Sequence, residues 1–438
     1  MRFFNVCALL LLIFPAASSV AQETRWFRGN LHTHSLWSDG NDFPEMICDW
    51  YREQGYHFVA LSDHNVLSDG EKWIKESVLT KREATEALER YRQRFGAEWV
   101  ETRMRDDQTE VRLKMLKEYR GKLEKPGEFL LVQGEEITDS FESIPIHMCA
   151  SDLEELIRPR GGASLRDVIR NNLLAVAEQS ARIGRPILAH LNHPNYGYAV
   201  TAEDLAAVTQ ERFFEIYNGH PGVNQKGDAQ HVSMEQMWDI ANTLRIAELK
   251  SPPLYGLGTD DSHHYLGSRG ATPGRGWVMV RATELNATRL INAMNRGDFY
   301  ASSGVELSEM ICDEQQGRIE VRIVPRPGAT YVTEFIGTKR AYDTASEPVL
   351  DDQGNALRVT RKYPADVGQV LAKVEGSHAS YRLTGEELYV RARITSSEAP
   401  ENPSYADQRR QAWTQPIGWR KWLEAAPKPE AKPEPSPR

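Results

Sequence analysis

The chemistry of this chain is concentrated in histidine and carboxylate residues that follow short apolar segments. The first group is Leu31-His32-Thr33-His34, and Asp39 follows it in a Ser-Asp-Gly turn. Side chains at i and i+2 of an extended segment point to the same face, so the imidazoles of His32 and His34 can approach one metal ion. Neutral imidazoles and carboxylates suit Zn, Mn or Fe. The group therefore predicts a metal site.

Five later segments repeat this pattern along the chain. They supply Asp63 and His64, Glu135 and Glu136, His147, His190 and His193, and finally Asp260, Asp261, His263 and His264. The carboxyl ends of parallel strands meet on one face of a barrel, where catalytic groups usually lie. A lone His-x-His pair is common by chance, but such residues at six successive strand ends indicate one shared site. The donors are too many for one ion, so we expect two or three divalent ions (Zn, Mn or Fe).

The segments that position these residues alternate between strand and helix patterns up to about residue 304. Short apolar runs predict buried strands over residues 27–32, 58–62, 129–134, 145–150, 186–190, 213–217 and 254–258. One amphipathic helix is predicted from Asp42 to Gly55, with Pro44 in its first turn, and another from Ser164 to Gly184. Strands that alternate with helices predict a parallel sheet, and we expect it to close into a barrel.

Changes in composition divide the chain further. Residues 68–127 are rich in Glu, Lys and Arg and have almost no strand character, so we expect a helical insertion in a barrel region that spans 22–304. The insertion is either a cap over the site or a solvated helical pair without a role. Residues 305–424 alternate as strands do and predict a small C-terminal β domain. The Pro/Lys/Glu-rich tail, 425–438, is expected to be disordered.

The N-terminus has the pattern of a targeting segment. Arg2 precedes a short apolar run, and the small residues that end in Ser19-Val20-Ala21 resemble a signal-peptidase site. We therefore expect residues 1–21 to be a signal peptide and the mature protein to be exported and soluble, in the periplasm or the medium. No later segment approaches the roughly 20 apolar residues of a membrane span, so no integral membrane association is expected.

The composition argues against several other classes. The chain has 438 residues, with 53 Lys and Arg against 62 Asp and Glu and a net charge of -9, which argues against nucleic-acid binding by broad phosphate neutralisation. Its four cysteines show no Cys-x-x-Cys spacing, so neither a zinc knuckle nor a redox motif is predicted. Only Cys48, Cys149 and Cys312 lie beyond the expected leader, and we expect no disulfide framework.

The order of the motifs resembles that of the PHP (polymerase and histidinol phosphatase) superfamily. The motifs are HTH, SDG, SDHN, GEE, His147, NHPN and DDSH, and the likeness covers residues 28–305. Within the superfamily, the exported carbaryl-hydrolase-like metallohydrolases are the most similar, with a C-terminal stretch like AWTQPI at residues 412–417. The resemblance implies a distorted seven-stranded β/α barrel, TIM-like in outline, with a two- or three-metal centre.

The resemblance also implies a role for each ligand. It places His32, His34, Glu135 and Asp261 on a first ion, Glu135, His147 and His193 on a second, and Asp39, His64 and His263 on a third. Asp39 stands where many relatives have His. His193 is preferred to His190 because its His-Pro pair matches the family motif. The expected catalytic residues are Glu135, His193 and Asp261, and the residues expected to orient imidazoles are Glu136, Asp63 and Asp260.

The residues leave two hydrolase activities open. In both, a deprotonated water attacks while a second ion polarises the substrate oxygen. The first hypothesis is a phosphoesterase for a small phosphoester, with Arg269 and Arg275 as candidates for binding its oxygens. The alternative is a hydrolase of carbamates, esters or amides, with a pocket lined by Trp37, Tyr196 and Tyr198 and no arginine near the metals. A third hypothesis, a non-catalytic binding protein, is opposed by the full ligand set. A small-molecule substrate and no nucleic-acid partner are expected, and the oligomeric state is not predicted.

Overall fold

The structure is a computed structural model that describes residues 23–267 and 270–424. Its strands are β1 Arg25–Asn30, β2 Phe58–Leu61, β3 Lys72–Lys75, β4 Thr102–Arg105, β5 Gln108–Leu113, β6 Leu130–Phe141, β7 Ile144–Ser151, β8 Leu188–Leu191, β9 Phe213–Asn218, β10 Tyr255–Thr259, β11 Trp277–Ala282, β12 Phe299–Ser302, β13 Leu307–Asp313, β14 Arg318–Ile323, β15 Tyr331–Lys339, β16 Gln369–Glu375, β17 His378–Arg382, β18 Glu387–Ser396 and β19 Gln411–Thr414. Its helices are α1 Pro44–Glu53, α2 Glu76–Lys81, α3 Ala87–Phe95, α4 Leu116–Leu123, α5 Leu165–Ile183, α6 Ala202–Ala207, α7 Met234–Ala247, α8 Ala287–Arg296 and α9 Arg420–Glu424. The predicted signal peptide, Arg269 and the predicted tail lie outside the described residues.

One large mixed sheet forms the centre of the molecule, which confirms the α/β class. Its strand order is β10-β9-β8-β7-β6-β2-β1-β11-β12-β19-β18-β15-β16. The pairs β1–β2, β2–β6, β8–β9 and β9–β10 are parallel. Just past the ends of β1 and β10, Thr33 and Ser262 form a parallel bridge, and the His34 N–H donates to the Ser262 carbonyl at 2.9 Å. The carboxyl ends of these two strands therefore lie side by side.

The sheet is not parallel throughout, contrary to the sequence expectation. β6 and β7 form an antiparallel hairpin, and β7 is also antiparallel to β8. The two residues of the hairpin turn, Glu142 and Ser143, have φ values of 48° and 67°. Positive φ at both positions is the requirement of a type I′ turn, whose twist matches that of paired strands. The turn reverses the chain within two residues, so no helix separates the strands.

The predicted helices begin and end where their capping residues indicate. Helix α5 follows Ser164, whose hydroxyl accepts a hydrogen bond from the Asp167 N–H, and it stops at Gly184 in the left-handed conformation. Its apolar stripe, which includes Val168 and Ile169, packs in the same core as residues of β7. Helix α1 begins at Pro44, two residues after the predicted start at Asp42, and it has Pro44 in its first turn as expected. These helices cover the strands that carry the histidines.

The sequence predicts a helical insertion over residues 68–127, but the structure shows that this segment also contains strands. Alongside α2, α3 and α4 it contains an antiparallel three-stranded sheet of order β3-β5-β4. Val111 of this sheet, Leu88 and Tyr91 form one buried cluster with Trp37 and Phe43, which belong to the segment after β1. The insertion therefore packs directly on the loop that carries Asp39.

The strands after residue 304 continue the large sheet. β12 pairs with β19, which pairs with β18, and β15 and β16 follow. Strands β13, β14 and β17 form a separate antiparallel sheet. The fully buried Arg391 of β18 donates to the carboxylate of Asp239 on α7, with Nε–Oδ1 2.9 Å and Nη2–Oδ2 2.6 Å. This region consists mainly of strands, and hydrogen bonds join it to the first half.

Candidate metal centre

The first candidate ligands lie just beyond β1. The side chains of His32 and His34 are fully buried on the same side of the extended chain, and their Nε2 atoms are 3.2 Å apart. The Oδ1 atom of Asp261, which follows β10, is 3.2 Å from Nε2 of His32 and 3.3 Å from Nε2 of His34. The bridge between the two strand ends brings these three side chains together. The sequence prediction that they share one site agrees with this geometry.

Glu136 lies at the centre of the cluster. Five imidazoles have a ring nitrogen within 3.6 Å of its carboxylate, at 3.5 Å for His32, 3.6 Å for His34, 2.7 Å for His64, 3.1 Å for His147 and 3.5 Å for His193. Burial alone would raise the pKa of Glu136, but the neighbouring His32 and His147 hold it well below its usual range. Glu136 is therefore an ionised, fully buried carboxylate that four segments of the chain share.

The structure corrects the expected role of Glu135. Neighbouring residues of a strand point to opposite faces, so only one of Glu135 and Glu136 can face the histidines. Oε1 of Glu135 instead accepts a hydrogen bond from the Ile157 N–H at 2.6 Å. Burial raises the pKa of Glu135 to about 8. Its side chain is directed away from the cluster, so Glu136, and not Glu135, has its carboxylate among the histidines.

A second part of the cluster forms around Asp39. Its carboxylate oxygens lie 3.6 Å from Nδ1 of His34, 3.5 Å from Nε2 of His64 and 3.4 Å from Nε2 of His263. Burial opposes ionisation of Asp39, but hydrogen bonds from His263 and His64 keep its pKa below the usual range. The side chain is half exposed. These residues form the solvent-facing edge of the site, as the third predicted ligand set requires.

His193 and His190 lie on different sides of the site. Nε2 of His193 is 3.5 Å from Glu136 and 4.0 Å from Oδ2 of Asp261. His190 is fully buried below the cluster, where Nε2 is 3.5 Å from Glu215 and Cys149 is its other neighbour. The backbone of His193 has a φ of 24°, a conformation that costs energy for a non-glycine residue. The structure thus places His193 beside Glu136 and Asp261, whereas His190 belongs to a separate group with His32 and Cys149.

Glu215 is a site residue that the sequence analysis missed. It is the lone acid of the otherwise apolar strand β9 and is fully buried. Its carboxylate lies 2.6 Å from Nδ1 of His32, and it accepts hydrogen bonds from the His193 N–H at 2.7 Å and the Thr259 hydroxyl at 2.8 Å. The sequence did contain a signal for this residue, because an acid within a mostly apolar strand is expected to be buried. A buried carboxylate needs polar or charged partners, so such an acid indicates a site.

Asn192 and His220 are also neighbours of the site that sequence reasoning did not identify. The Asn192 side-chain amide donates to Oε1 of Glu136 at 2.7 Å. The His220 ring lies 5.6 Å from the ring of His263, and its Nδ1 accepts a hydrogen bond from the Gly222 N–H at 3.0 Å. Because Nδ1 accepts this hydrogen bond, it carries no proton, and in the neutral ring the proton of His220 is on Nε2.

The two aspartates predicted to orient ligands do hold the surrounding loops. Asp63 accepts the backbone N–H and the hydroxyl of Ser35 and of Ser38, and so fixes the loop that leads to Asp39. Asp260 accepts a hydrogen bond from the Tyr51 hydroxyl at 2.7 Å and three more from the backbone of residues 274–276. Both carboxylates act on the backbone near the ligands rather than on an imidazole.

Arg275 does not face the cluster, contrary to the expectation that it binds substrate. Its guanidinium donates to the carbonyls of Gly219 and Gly270 at 2.9 and 2.7 Å and to Asn402 at 2.9 Å. These bonds tie the loop after β10 to the C-terminal region. A cation that sequence reasoning missed, Arg82 of the insertion, lies nearer, and it donates to the carbonyls of Gly40 and Ser38 on either side of Asp39.

The predicted aromatic wall is only partly present. Trp37 is buried against the insertion, and its indole N–H donates to the Lys114 carbonyl. The ring of Tyr196 lies 5.3 Å from that of His193 and is 40% exposed, so Tyr196 stands at the mouth of the site. Tyr198 stacks on His231. Of these three aromatic residues, Tyr196 is the one whose ring lies beside a candidate ligand.

The residues present fit divalent cations. Five overlapping groups of three or four His, Asp, Glu or Cys side chains have ligand atoms within 4.8 Å of one another, and they include every predicted ligand except Glu135. Nδ1 of His34 is buried without a hydrogen-bond partner in the described part of the chain, and Nδ1 of His147, although 3.1 Å from Glu136, is not aligned for a hydrogen bond. Buried polar atoms normally have partners. Unpartnered imidazole nitrogens that surround ionised carboxylates are what a metal site provides.

Comparison with solved structures found chains that are similar to this one at low sequence identity. One is a two-domain protein from Bacteroides vulgatus that contains a predicted PHP-like metal-dependent phosphoesterase, with a TM-score of 0.39 and 14% identity over 90% of this chain and 95% of that chain. Another is a protein from Bifidobacterium adolescentis named as a metal-dependent phosphoesterase, with a TM-score of 0.28 and 16% identity over 56% of this chain and 92% of that chain. No protein-family model and no curated protein matches the chain.

Membrane-spanning helices were also sought. Within residues 23–267 and 270–424, no helix combines the length and the apolar character that crossing a bilayer needs.

Proposed function

We propose that this protein is a metal-dependent phosphoesterase of the PHP type. The observation that carries the proposal is the buried Glu136 carboxylate, which faces five imidazoles within 3.6 Å. The convergence of so many imidazole nitrogens and carboxylate oxygens at one buried anion supports bound cations there, because such donor sets are typical of metal sites and a buried carboxylate needs positive charge beside it.

The proposed centre holds two or three divalent ions, Zn, Mn or Fe. The ligand sets are His32, His34, Glu136 and Asp261 for the first ion, Glu136, His147 and His193 for the second, and Asp39, His64 and His263 for the third. When bound, such ions lower the pKa of water and stabilise charge that develops on a phosphoryl oxygen. The half-exposed Asp39 makes its set the most open to solvent.

The protein's own groups orient the ligands and the substrate. Glu215 accepts a hydrogen bond from the Nδ1–H group of His32. The other ring nitrogen of His32, Nε2, therefore carries the lone pair that is directed to the cluster. The Glu215 carboxylate also holds the backbone N–H of His193. His220, whose protonated nitrogen is Nε2, stands at the rim and can donate a hydrogen bond to a substrate oxygen. Tyr196 provides an exposed ring beside His193.

A hydrolase of carbamates, esters or amides is the second candidate. The observation in its favour is that Arg275, the described arginine expected to bind phosphate, is fully engaged with Gly219, Gly270 and Asn402. Arg82 favours the phosphoester, because its charge lies next to Asp39 and is within electrostatic reach of an anionic substrate. The substrate class is therefore decided by assay.

Three further features belong to the proposal. We propose that the strands β1, β2, β6, β7, β8, β9 and β10 form the distorted seven-stranded barrel, with support from the bridge between Thr33 and Ser262. Export after removal of residues 1–21 rests on the N-terminal pattern alone. The proposed domains are a metallohydrolase region over 22–304, which contains the insertion over 68–127, and a β-rich region over 305–424. These bounds rest on the sequence, and so does the assignment to the carbaryl-hydrolase-like branch.

The proposal is tested with protein that begins at Gln22, incubated with Mn or Zn. Release of nitrophenol from p-nitrophenyl phosphate and from its diester is compared with turnover of an aryl carbamate. We expect metal-dependent turnover of a phosphoester that the Glu136→Gln variant loses. Turnover of the carbamate alone would select the second candidate. A protein that binds metal and turns over no substrate in this set would contradict a hydrolase assignment.

A further inference from the structure

A second group of ligand-type side chains lies beneath the candidate metal centre. Sγ of Cys149 on β7 and a ring nitrogen of His190 on β8 lie within 4.8 Å of each other and of a ring nitrogen of His32. All three side chains are fully buried. The proposed function uses only His32 of these three, so Cys149 and His190 are ligand-type residues without a role in it.

The register of three neighbouring strands creates this group. Cys149 lies opposite Glu136 in the β6–β7 pair and opposite His190 in the β7–β8 pair. Residues directly opposite each other in paired strands have side chains on the same face of the sheet. Because Glu136 faces the candidate ligands, Cys149 and His190 face the same interior. Backbone pairing therefore holds the thiol and the imidazole side by side.

The ring of His190 lacks the partners that a buried imidazole normally has. Neither of its nitrogens has a hydrogen-bond partner in the described part of the chain, and Nε2 lies 3.5 Å from Oε1 of Glu215 without forming a hydrogen bond. A neutral imidazole has one N–H donor and one lone pair, and buried polar atoms are rarely unpartnered. A cation beside the thiol supplies the missing partner of that lone pair.

The surroundings of the Cys149 sulfur also favour a cation. The side-chain amide of Asn192 donates to Sγ at 3.2 Å, so the sulfur accepts there, as a thiolate ligand does. The thiol and the His190 ring lie on β7 and β8, between the buried carboxylates of Glu136 on β6 and Glu215 on β9. Buried carboxylates need positive charge beside them. A bound cation provides that charge for both.

We propose that Cys149, His190 and His32 bind a thiophilic divalent ion of the zinc class, in an inner site distinct from the proposed centre. Thiolate and imidazole are ligands that Zn accepts, whereas Mg, Ca and Mn prefer oxygen. Structural zinc sites are closed to solvent. Because all three ligands are fully buried, the inner ion is structural, and it joins β7 and β8 to the segment after β1.

The ring of His32 has one nitrogen for each site. Nε2 lies 3.2 Å from Oδ1 of Asp261, in the proposed centre, and Nδ1 lies 2.6 Å from Oε1 of Glu215. The inner ion therefore takes Nδ1. It replaces the proton that Nδ1 shares with Glu215 and the thiol proton of Cys149, and both protons pass to the buffer. The carboxylate of Glu215 then balances the charge of the ion.

The test is X-ray absorption at the zinc edge, with the full protein from Gln22 freed of metal and reloaded with Zn under reducing conditions. Sulfur lies at about 2.3 Å from Zn, and nitrogen and oxygen at about 2.0–2.2 Å, so the two are resolved. We expect a sulfur neighbour, because Cys149 alone among the described cysteines lies in a ligand group. Zinc-loaded protein without one would overturn the proposal. The spectrum does not depend on turnover, so the result stands apart from the proposed activity.

Variants locate the sulfur and count the ion. Cys149→Ser should lose the sulfur neighbour and about one Zn per chain by elemental analysis, and His190→Gln should lose the same ion. Cys48→Ser, at a buried cysteine outside the ligand groups, is the matched control and should keep both. A sulfur neighbour that persists in Cys149→Ser, or that Cys48→Ser removes, would overturn the proposal. His190→Gln decides the matter if Cys149→Ser does not fold.

Discussion

Glu136 is surrounded by imidazoles because its charge must be compensated where water is absent. A carboxylate taken out of water is costly unless cations or donors surround it. His64 and His147 approach it from different strands, and Asn192 donates to it at 2.7 Å. Residue 136 is therefore the position at which a neutral side chain would change the electrostatics of all three proposed ligand sets, since His64 of the third set also lies 2.7 Å from it.

Glu215 acts on the metal centre through His32, and this role is testable. A Glu215→Gln variant keeps the size of the side chain but presents an amide to Nδ1 of His32. We expect metal affinity to fall about 10- to 100-fold with the fold intact, as other losses of such partners do. The measurement is metal transfer to a chelator of known affinity. Glu211→Gln, at another buried acid just before β9, is the matched control, and equal affinity in both variants would contradict the role.

Residue types and spacing were sufficient to predict most of the cluster, but not which glutamate faces it. In β6 both faces are buried, so the apolar pattern around Glu135 and Glu136 does not show which face is inward. The register of the β6–β7 hairpin decides it, and that register depends on the turn at Glu142 and Ser143. Glu215 was missed because a single acid in an apolar strand has no motif.

At the scale of elements, the insertion holds the loop that carries Asp39. Arg82 donates to the carbonyls of Ser38 and Gly40, Lys72 donates to the carbonyl of Trp37, and the aromatic cluster packs beneath. The sequence predicted the position of the insertion but not its three-stranded sheet. The short strand β4 lacks an apolar alternation, because three of its four residues are exposed.

Loss of Arg82 should affect one ligand set alone. In Arg82→Met the loop around Asp39 loses two hydrogen bonds and a neighbouring charge. We expect the protein to hold about one ion fewer and to keep the ions of the other sets, since ligands need such outer contacts to stay in place. Elemental analysis after dialysis measures this. Arg105→Met, on the exposed face of the same insertion, should retain the full count, and an unchanged count in Arg82→Met would contradict the role of the insertion.

Helix α1 faces the insertion through a buried acid that makes stability depend on pH. Burial raises the pKa of Glu45 to about 7, although the Tyr91 hydroxyl and Trp99 N–H donate to it. Between the usual pKa of a glutamate and 7 the folded protein binds one proton more than the unfolded chain, so stability falls as pH rises through this window.

A Glu45→Gln variant should lack this loss. Relative to the parent protein, its free energy of unfolding should increase between pH 5 and pH 8 by about 3 kcal/mol, since each pKa unit corresponds to roughly 1.4 kcal/mol. Urea unfolding of both metal-free proteins at the two pH values measures the difference. A difference between variant and parent that does not change with pH would contradict the raised pKa.

At the scale of the whole molecule, the two halves share one sheet and one buried ion pair. β12 pairs with β19 across the predicted boundary, and Asp239 of α7 receives hydrogen bonds from Arg391 and Tyr389 of β18. The change of composition near residue 304 predicted β structure beyond it. It did not predict this joining, because pairing between distant strands leaves no local signal in the sequence.

Truncation tests the joining of the halves. Protein that ends at residue 304 exposes the edge of β12 and the buried face of α7, so we expect it to aggregate or to unfold well below the full chain. Protein that ends at residue 424 should keep its melting temperature and turnover, because only the Pro/Lys/Glu-rich tail is removed. Calorimetry and size-exclusion chromatography measure both. A monomeric, cooperatively folded product ending at 304 would contradict the account.

The most direct test of the central claim is the metal content of two neighbouring variants. Glu136→Gln and Glu135→Gln alter the same side chain on opposite faces of one strand, and neither changes its volume. We expect Glu136→Gln to lose most of the bound metal. Glu135→Gln should bind the same number of ions as the parent protein, which is two or three per chain. Full metal content in Glu136→Gln, with loss in Glu135→Gln, would contradict a centre built around Glu136.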